Sequence, residues 1–112
     1  MSRGAILFVL AASACAMDPE LDAFCAESPV VTWDNFGSSF VTENCQTCHA
    51  QASENRNGAP KNVVFDTEEE TLAWSDRILD RVASDTPTMP PQGGVTDDDR
   101  EFVDVWLSCA AD

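Results

Sequence analysis

The chain has 112 residues, and its 6 lysines and arginines against 20 aspartates and glutamates give a formal net charge of −14 at pH 7. Because a chain this acidic repels phosphate backbones and anionic membrane surfaces, we expect neither nucleic-acid binding nor passive membrane docking. Its length and its hydrophobic content of 44% predict one small folded domain. A domain of this size is expected to be built around a cofactor or a disulfide rather than a deep substrate cavity.

The N-terminal residues are predicted to be an export signal. Arg3 supplies the positive charge, residues 5–12 are apolar, and small residues follow. We expect residues 1–14 to be a lipoprotein-type signal peptide that is cut before Cys15, whose thiol then carries the lipid, although the usual leucine three positions earlier is missing. Cleavage after Ala16 is the alternative and would release a soluble protein. Both routes predict a location in the periplasm or cell envelope, with membrane contact only through the lipid.

The next segment, residues 15–31, has no long periodic pattern and is predicted to be a tether that leads into a strap along the domain. The folded domain is expected over residues 32–112. Its first predicted helix runs from about Asp34 to Cys48, with Thr32 or Asp34 as the capping residue. Apolar residues recur along this helix at the spacing of a single face.

Two further helices are predicted. The second runs from about Glu68 to Ala83, where Thr67 and Glu70 have the spacing of a capping box. The third runs from about Asp97 to Ala110 and is capped by Thr96. The connecting segments are polar or rich in proline, and no run with a strand pattern exceeds four residues. The predicted fold class is therefore all-α, with about three main helices and long, shaped loops.

The sharpest motif is the run Cys45-Gln46-Thr47-Cys48-His49, which has the C-x-x-C-H spacing of covalent haem attachment. Two thiols one helical turn apart can reach the two vinyl groups of one porphyrin as thioethers. The next residue, His49, is then placed to bind the iron. The sequence therefore predicts one covalent haem c, with Cys45 and Cys48 as attachment points and His49 as an axial ligand.

Three other kinds of site use cysteines at this spacing. A redox pair of the thioredoxin type is expected after a strand of a βαβ unit, whereas a helix precedes the motif here. A zinc site needs a second pair of ligands, and no other closely spaced Cys or His pair occurs in the sequence. A structural disulfide between Cys45 and Cys48 would leave His49 without a role.

The second axial ligand is predicted to be Met89. His49 is the only histidine, and of the other methionines Met1 leaves with the signal and Met17 lies in the tether. Met89 lies in a loop stiffened by prolines, which can hold a thioether against iron without deforming a helix. The alternative is that Met89 only fills the core.

Two cysteines remain once the haem motif and Cys15 are assigned. In an oxidising compartment, Cys25 and Cys109 are predicted to form a disulfide that ties the strap to the end of the last helix. Two free buried thiols, or a bond from Cys109 to another subunit, are the alternatives.

Over residues 32–110 the chain resembles the small class I c-type cytochromes, which are monohaem and all-helical. The resemblance rests on the C-x-x-C-H run at the end of the first helix, on the Met-Pro-Pro run at residues 89–91, and on the aromatic last helix. It implies that the first and last helices cross through aromatic packing, a role carried over to Phe40 and Trp106. It also implies a proline carbonyl that accepts the N–H of the haem histidine, a role carried over to Pro60, which alternatively ends a turn.

These features predict an electron carrier rather than an enzyme, since His49 and Met89 together fill both axial positions of the iron. The rivals are a haem-based ligand-binding or sensor module with an open or labile sixth position, and a haem subunit of a larger oxidoreductase complex. The acidic surface suggests redox partners with a basic docking face. For Arg77 and Arg81 the alternatives are that one of them pairs with a haem propionate or that both face solvent. For Trp74 the alternatives are packing against the porphyrin edge or packing in the core.

Overall fold

The computed structural model of the chain describes Gly4 and residues 18–110. Apart from Gly4, the predicted signal peptide lies outside the described residues, and so do Cys15 and Met17. In chain order the elements are α1 (Pro19–Glu27), a π-helical turn (Trp33–Gly37), α2 (Ser38–Asn44), α3 (Gln46–His49), α4 (Glu68–Leu72), α5 (Ser75–Ile78), a second π-helical turn (Leu79–Ala83) and α6 (Asp97–Cys109). The described part of the chain is all-α and contains no β-strand, as predicted. None of its helices has the length and apolar content needed to cross a membrane.

Helix α1 lies within residues 15–31, the predicted tether and strap, where no helix was predicted. Asp18 caps the helix by accepting a hydrogen bond of 2.9 Å from the backbone N–H of Glu20. Pro19 occupies the first turn, where its missing N–H leaves no bond unmade. The helix buries none of its residues. It therefore lacks the apolar stripe by which a helix is usually recognised in a sequence.

The disulfide predicted between Cys25 and Cys109 is confirmed, with the two Cα atoms 5.7 Å apart. It joins α1 to the last residue of α6, and the two helices are in contact. The cysteines are 84 positions apart in sequence. Closing a loop of that length stabilises the fold by about 4 kcal/mol in the chain-entropy model. The bond thus anchors a helix that has almost no buried surface of its own.

The first predicted helix is present, but it is divided. Thr32 caps it: its hydroxyl accepts from the N–H of Asn35 at 3.1 Å, and the Asn35 side chain accepts from the N–H of Thr32 at 2.7 Å. A π-helical turn then leads into α2, and the backbone departs from helical geometry at Cys45 before α3 begins. The break turns the C-x-x-C-H run away from the axis of α2.

The second predicted helix is divided as well. Thr67 caps α4 by accepting from the N–H of Glu70 at 3.1 Å, while the Glu70 carboxylate accepts from the Thr67 hydroxyl at 3.0 Å. The helix stops at a turn in which the N–H of Trp74 donates to the carbonyl of Thr71 at 3.0 Å. Helix α5 and the second π-helical turn then continue the segment. The break places Trp74 at the junction between two short helices.

The third predicted helix is confirmed as α6, capped by Thr96 through the N–H of Asp99 at 3.1 Å. Asp97, Asp98 and Asp99 stand in its first turn, where carboxylates oppose the positive end of the helix dipole. The core gathers around this helix and consists of Phe40, Val41, Phe65, Ile78, Val82, Val103, Trp106 and Leu107.

The first and last helical segments pack through aromatic rings, and Phe36 lies between them. Its ring centroid is 5.3 Å from that of Phe40, 5.5 Å from that of Phe102 and 6.3 Å from that of Trp106. Trp33 adds a further ring at 6.0 Å from Trp106. Phe40 and Trp106 are both buried in this core, and Phe36 connects them.

The closest approach of these segments is at Gly37. A Cβ atom at this position would lie 2.6 Å from a ring carbon of Trp106, which is 1% exposed and cannot move aside. Only glycine allows the backbone to lie directly on the indole ring.

Gly37→Ala is therefore expected to destabilise the protein by about 1–3 kcal/mol, because the new methyl group overpacks a rigid core. The measurement is urea unfolding of the mature protein. Ser39→Ala, at an exposed position two residues along, is the matched control and should change stability by less than about 0.5 kcal/mol. Equal stability of the two variants would show that the indole is free to shift.

Candidate functional site

One cavity of about 550 Å³ is lined by the residues that were predicted from the sequence to bind haem. Cys45, Cys48, His49, Pro60 and Met89 all line it, although they come from distant parts of the chain. The volume lies within the range of small-molecule and cofactor sites. Core residues complete the wall: Phe40, Val63, Phe65, Ile78 and Val82.

The His49 side chain is held in one orientation. Its Nδ1 lies 3.0 Å from the carbonyl oxygen of Val63, and its ring centroid lies 4.8 Å from that of Phe65. Since a carbonyl can only accept, Nδ1 carries the proton and donates it. Nε2 is then left with the lone pair that a metal ligand requires.

The extended segment at residues 63–65 is hydrogen-bonded to α3. Besides the imidazole bond, the N–H of Phe65 donates to the carbonyl of His49 at 2.7 Å. The side-chain amide of Gln46 donates to the carbonyl of Phe65 at 3.0 Å. These bonds fold the polar loop after His49 back over the cavity.

The role carried over to Pro60 needs correction. The carbonyl of Pro60 accepts from the N–H of Val63 at 3.1 Å, which closes a turn. It is the Val63 carbonyl that contacts the imidazole. Pro60 therefore ends the turn that positions the Val63 carbonyl. It lines the cavity but does not itself bond to the imidazole of His49. Val63 carries no sequence signal for this role, because every residue has a backbone carbonyl.

We expect NMR of ring-labelled protein to find the His49 proton on Nδ1, protected from exchange by the bond to Val63. The signal is unambiguous because the chain has a single histidine. Coupling across the hydrogen bond should appear when valine carbonyl carbons are labelled and be absent when proline carbonyls are labelled. A coupling to labelled proline would return the role to Pro60, and a proton on Nε2 would remove the metal-ligand geometry.

The two motif cysteines are free thiols. Burial raises the pKa of the Cys45 thiol to about 12, so this side chain stays protonated and weakly nucleophilic at neutral pH. A redox pair of the thioredoxin type needs a lowered cysteine pKa instead. Within residues 18–110, no three His, Cys, Asp or Glu side chains stand close enough to hold a metal ion.

A tight turn brings the side chain of Asn57 to the cavity. Asn57 and Gly58 have φ angles of 49° and 88°, and the N–H of Ala59 donates to the carbonyl of Arg56 at 2.9 Å. Positive φ at both central positions is typical of a type I′ turn, for which Asn-Gly is the favoured pair. From this turn the Asn57 side-chain amide donates to Sγ of Cys48 at 3.1 Å.

The Met89 loop is fixed by its backbone. The N–H groups of Thr88 and Met89 both donate to the carbonyl of Arg81, at 2.8 and 2.9 Å. The Met89 side chain is half-buried, lines the cavity and packs against the core. Its thioether thus borders the same space as His49.

Positive charge is concentrated in the cavity wall. Arg56, Arg77 and Arg81 line the cavity, and Glu43 is the only carboxylate among its lining residues. Elsewhere in residues 18–110 the cations are Lys61 and Arg100, in a chain with 20 acidic residues. The cavity is therefore suited to a ligand that carries anionic groups.

Arg56 gives the clearest sign of such a group. Its Nη2 donates to the carbonyl of Gln51 at 3.0 Å, while its Nη1 is buried without any hydrogen-bond partner in the described part of the chain. A buried, unpaired guanidinium nitrogen is costly unless a ligand supplies an acceptor. Arg56 was not among the residues predicted from the sequence, because a single arginine in a polar loop is no local signal for ligand binding.

Comparison of the chain with protein-family models, with curated proteins and with solved structures gave no match. The chemistry of the site is therefore inferred from its own residues. The structure brings Cys45, Cys48, His49 and Met89 around one cavity, whereas Cys15 lies outside the described residues. Trp74 lines the cavity and also packs against the core.

Proposed function

We propose that the protein is a one-electron carrier with one covalent haem c and a cytochrome c-like fold. The observation that carries the proposal is the meeting of Cys45, Cys48, His49 and Met89 around a single cavity. The first three form the attachment motif, and the fourth lies in a separate loop. A bound haem would supply reversible one-electron chemistry at its iron.

The residues present fit that group. Cys45 and Cys48 offer two free thiols for thioethers, and His49 offers an Nε2 lone pair on a ring fixed by Val63. The unpaired Nη1 of Arg56 and the other arginines of the wall match the two carboxylates of a porphyrin. The apolar residues of the wall, among them Phe40 and Phe65, would limit the access of water to a bound haem.

Electron transfer is favoured over ligand sensing by the Met89 loop. Two backbone hydrogen bonds to Arg81 hold the loop, and the Met89 side chain borders the cavity that His49 also lines. With both axial positions occupied, the iron has no place for a substrate or gas. A sensor would require Met89 to leave this position.

The Cys25–Cys109 disulfide supports export, because such bonds persist in oxidising compartments. We therefore propose the periplasm or cell envelope as the location, with a lipid on Cys15 as the anchor. The acidic surface supports a redox partner that has a basic face.

The test is an absorption spectrum of the mature protein, made in a host that attaches c-type haem, together with a denaturing gel stained for haem. We expect haem to remain with the chain on the gel. We also expect the weak red charge-transfer band of a methionine–ferric bond, which Met89→Ala should abolish and Met17→Ala should leave unchanged.

Each other result has a definite meaning. Covalent haem with a high-spin spectrum that shifts on addition of carbon monoxide or cyanide would indicate the sensor. Loss of the band in Met17→Ala would move the sixth ligand to the N-terminal segment. A chain without covalent haem would refute the proposal.

Removing a cavity arginine should lower the midpoint potential. A nearby cation disfavours the ferric state, so Arg56→Gln is expected to lower the potential by about 40 mV, which corresponds to about 1 kcal/mol for one electron. Lys61→Gln removes a charge outside the cavity and is expected to shift the potential by less than half as much. Potentiometric titration of both variants checks this, and equal shifts would indicate a general charge effect rather than a local contact.

A further inference from the structure

A second hollow lies beside the cavity, on the outer side of the segment that contains α4 and α5. It is an open groove of about 800 Å³ between this segment, α1 and the end of α6. Trp74 and Arg77 line both the groove and the cavity. The Trp74 side chain therefore borders the proposed cofactor site and also the outer surface.

The groove is apolar, and its edge is acidic. Leu21, Leu72, Leu79 and Leu107 are among its lining residues, with Asp76 as the only carboxylate. Helix α1, which contributes Leu21 to the groove, has three carboxylates and no basic residue in the sequence PELDAFCAE, and Arg77 is the one cation among the lining residues. Such a surface can bury an apolar side chain while the acidic edge attracts a basic protein.

Helix α1 also exposes large apolar side chains toward solvent. Leu21 is 36% exposed and Phe24 is 37% exposed. Exposed apolar groups with a charged border are typical of protein interaction sites. The disulfide between Cys25 and Cys109 fixes α1 against α6, so the edge of the groove is rigid before a partner arrives.

We propose that this groove is the docking site of the redox partner, and that the partner inserts an apolar side chain surrounded by lysine or arginine. The inference rests on the proposed function. A second copy of this chain does not suit the groove, because two chains of net charge −14 would bring acidic helices together.

Trp74 gives the docked partner an aromatic contact that reaches the cavity wall. One electron passes between the partners: the donor is oxidised by one electron and the acceptor is reduced by one, and no bond is made or broken.

The experiment measures binding of the haem-loaded, isotope-labelled mature protein to a lysine-rich c-type cytochrome, used as a basic probe at low ionic strength. We expect amide signals of α1 and of residues 72–79 to shift on titration. Leu21→Arg places a cation in the groove and should weaken binding about tenfold. The control is Val30→Arg, which adds the same charge at a position that is 82% exposed and outside the groove; it should weaken binding less than about twofold.

Several results would overturn the docking site. Equal weakening by Leu21→Arg and Val30→Arg would indicate diffuse charge attraction, and shifts confined to the loop at residues 89–93 would move docking to the cavity mouth. Self-association in sedimentation that Leu21→Arg abolishes would make the groove an interface between copies. Absence of binding by the unaltered protein would remove the acidic docking surface altogether. Failure of the proposed function is recognised separately, since the haem-stained gel and the spectrum are recorded before any titration.

Discussion

The site depends on the hydrogen bonds that fasten residues 63–65 to α3. The Val63 carbonyl fixes the imidazole of His49, and the N–H of Phe65 binds the carbonyl of the same histidine at 2.7 Å. Together with the bonds from the N–H of Gln51 to the Asp66 carboxylate and from the Ser53 hydroxyl to the carbonyl of Gln46, they fold back the polar loop after His49. The loop carries Arg56 and Asn57, so the same bonds also bring the cation and the amide to the cavity wall. A short segment without regular structure thereby organises both the ligand and its surroundings.

Carboxylates dominate the charge of this molecule, whereas the cavity wall carries three arginines. Most carboxylates lie on the surface or at helix starts, where Thr67 and Thr96 also provide caps. The arginines that line the cavity, in contrast, are suited to binding an anionic group. The net charge therefore governs the attraction between the protein and other macromolecules, whereas the local charge of the cavity governs which ligand it can bind.

The sequence predicted those parts that leave a local chemical mark. The C-x-x-C-H run, Met89 among its prolines, the Cys25–Cys109 pair and the capping threonines belong to this group. Helix α1 was not predicted, because a disulfide rather than an apolar face attaches it to the rest of the domain. Val63 could not be found, since its contribution is a backbone carbonyl that any residue would supply. The helix breaks at Cys45 and Trp74 arise from tertiary packing, which helix periodicity does not record.

Helix α1 also limits how far the domain can stand from a lipid anchor. A flexible tether over residues 15–31 would span at most about 55 Å when fully extended. Since the helix begins at Pro19 and is bonded to α6, a lipid on Cys15 would leave a leash of about 14 Å. If the protein is a carrier anchored through a lipid on Cys15, so short a tether would keep it from crossing the space between two membranes. It would exchange electrons with neighbours that share its bilayer or that come to its surface.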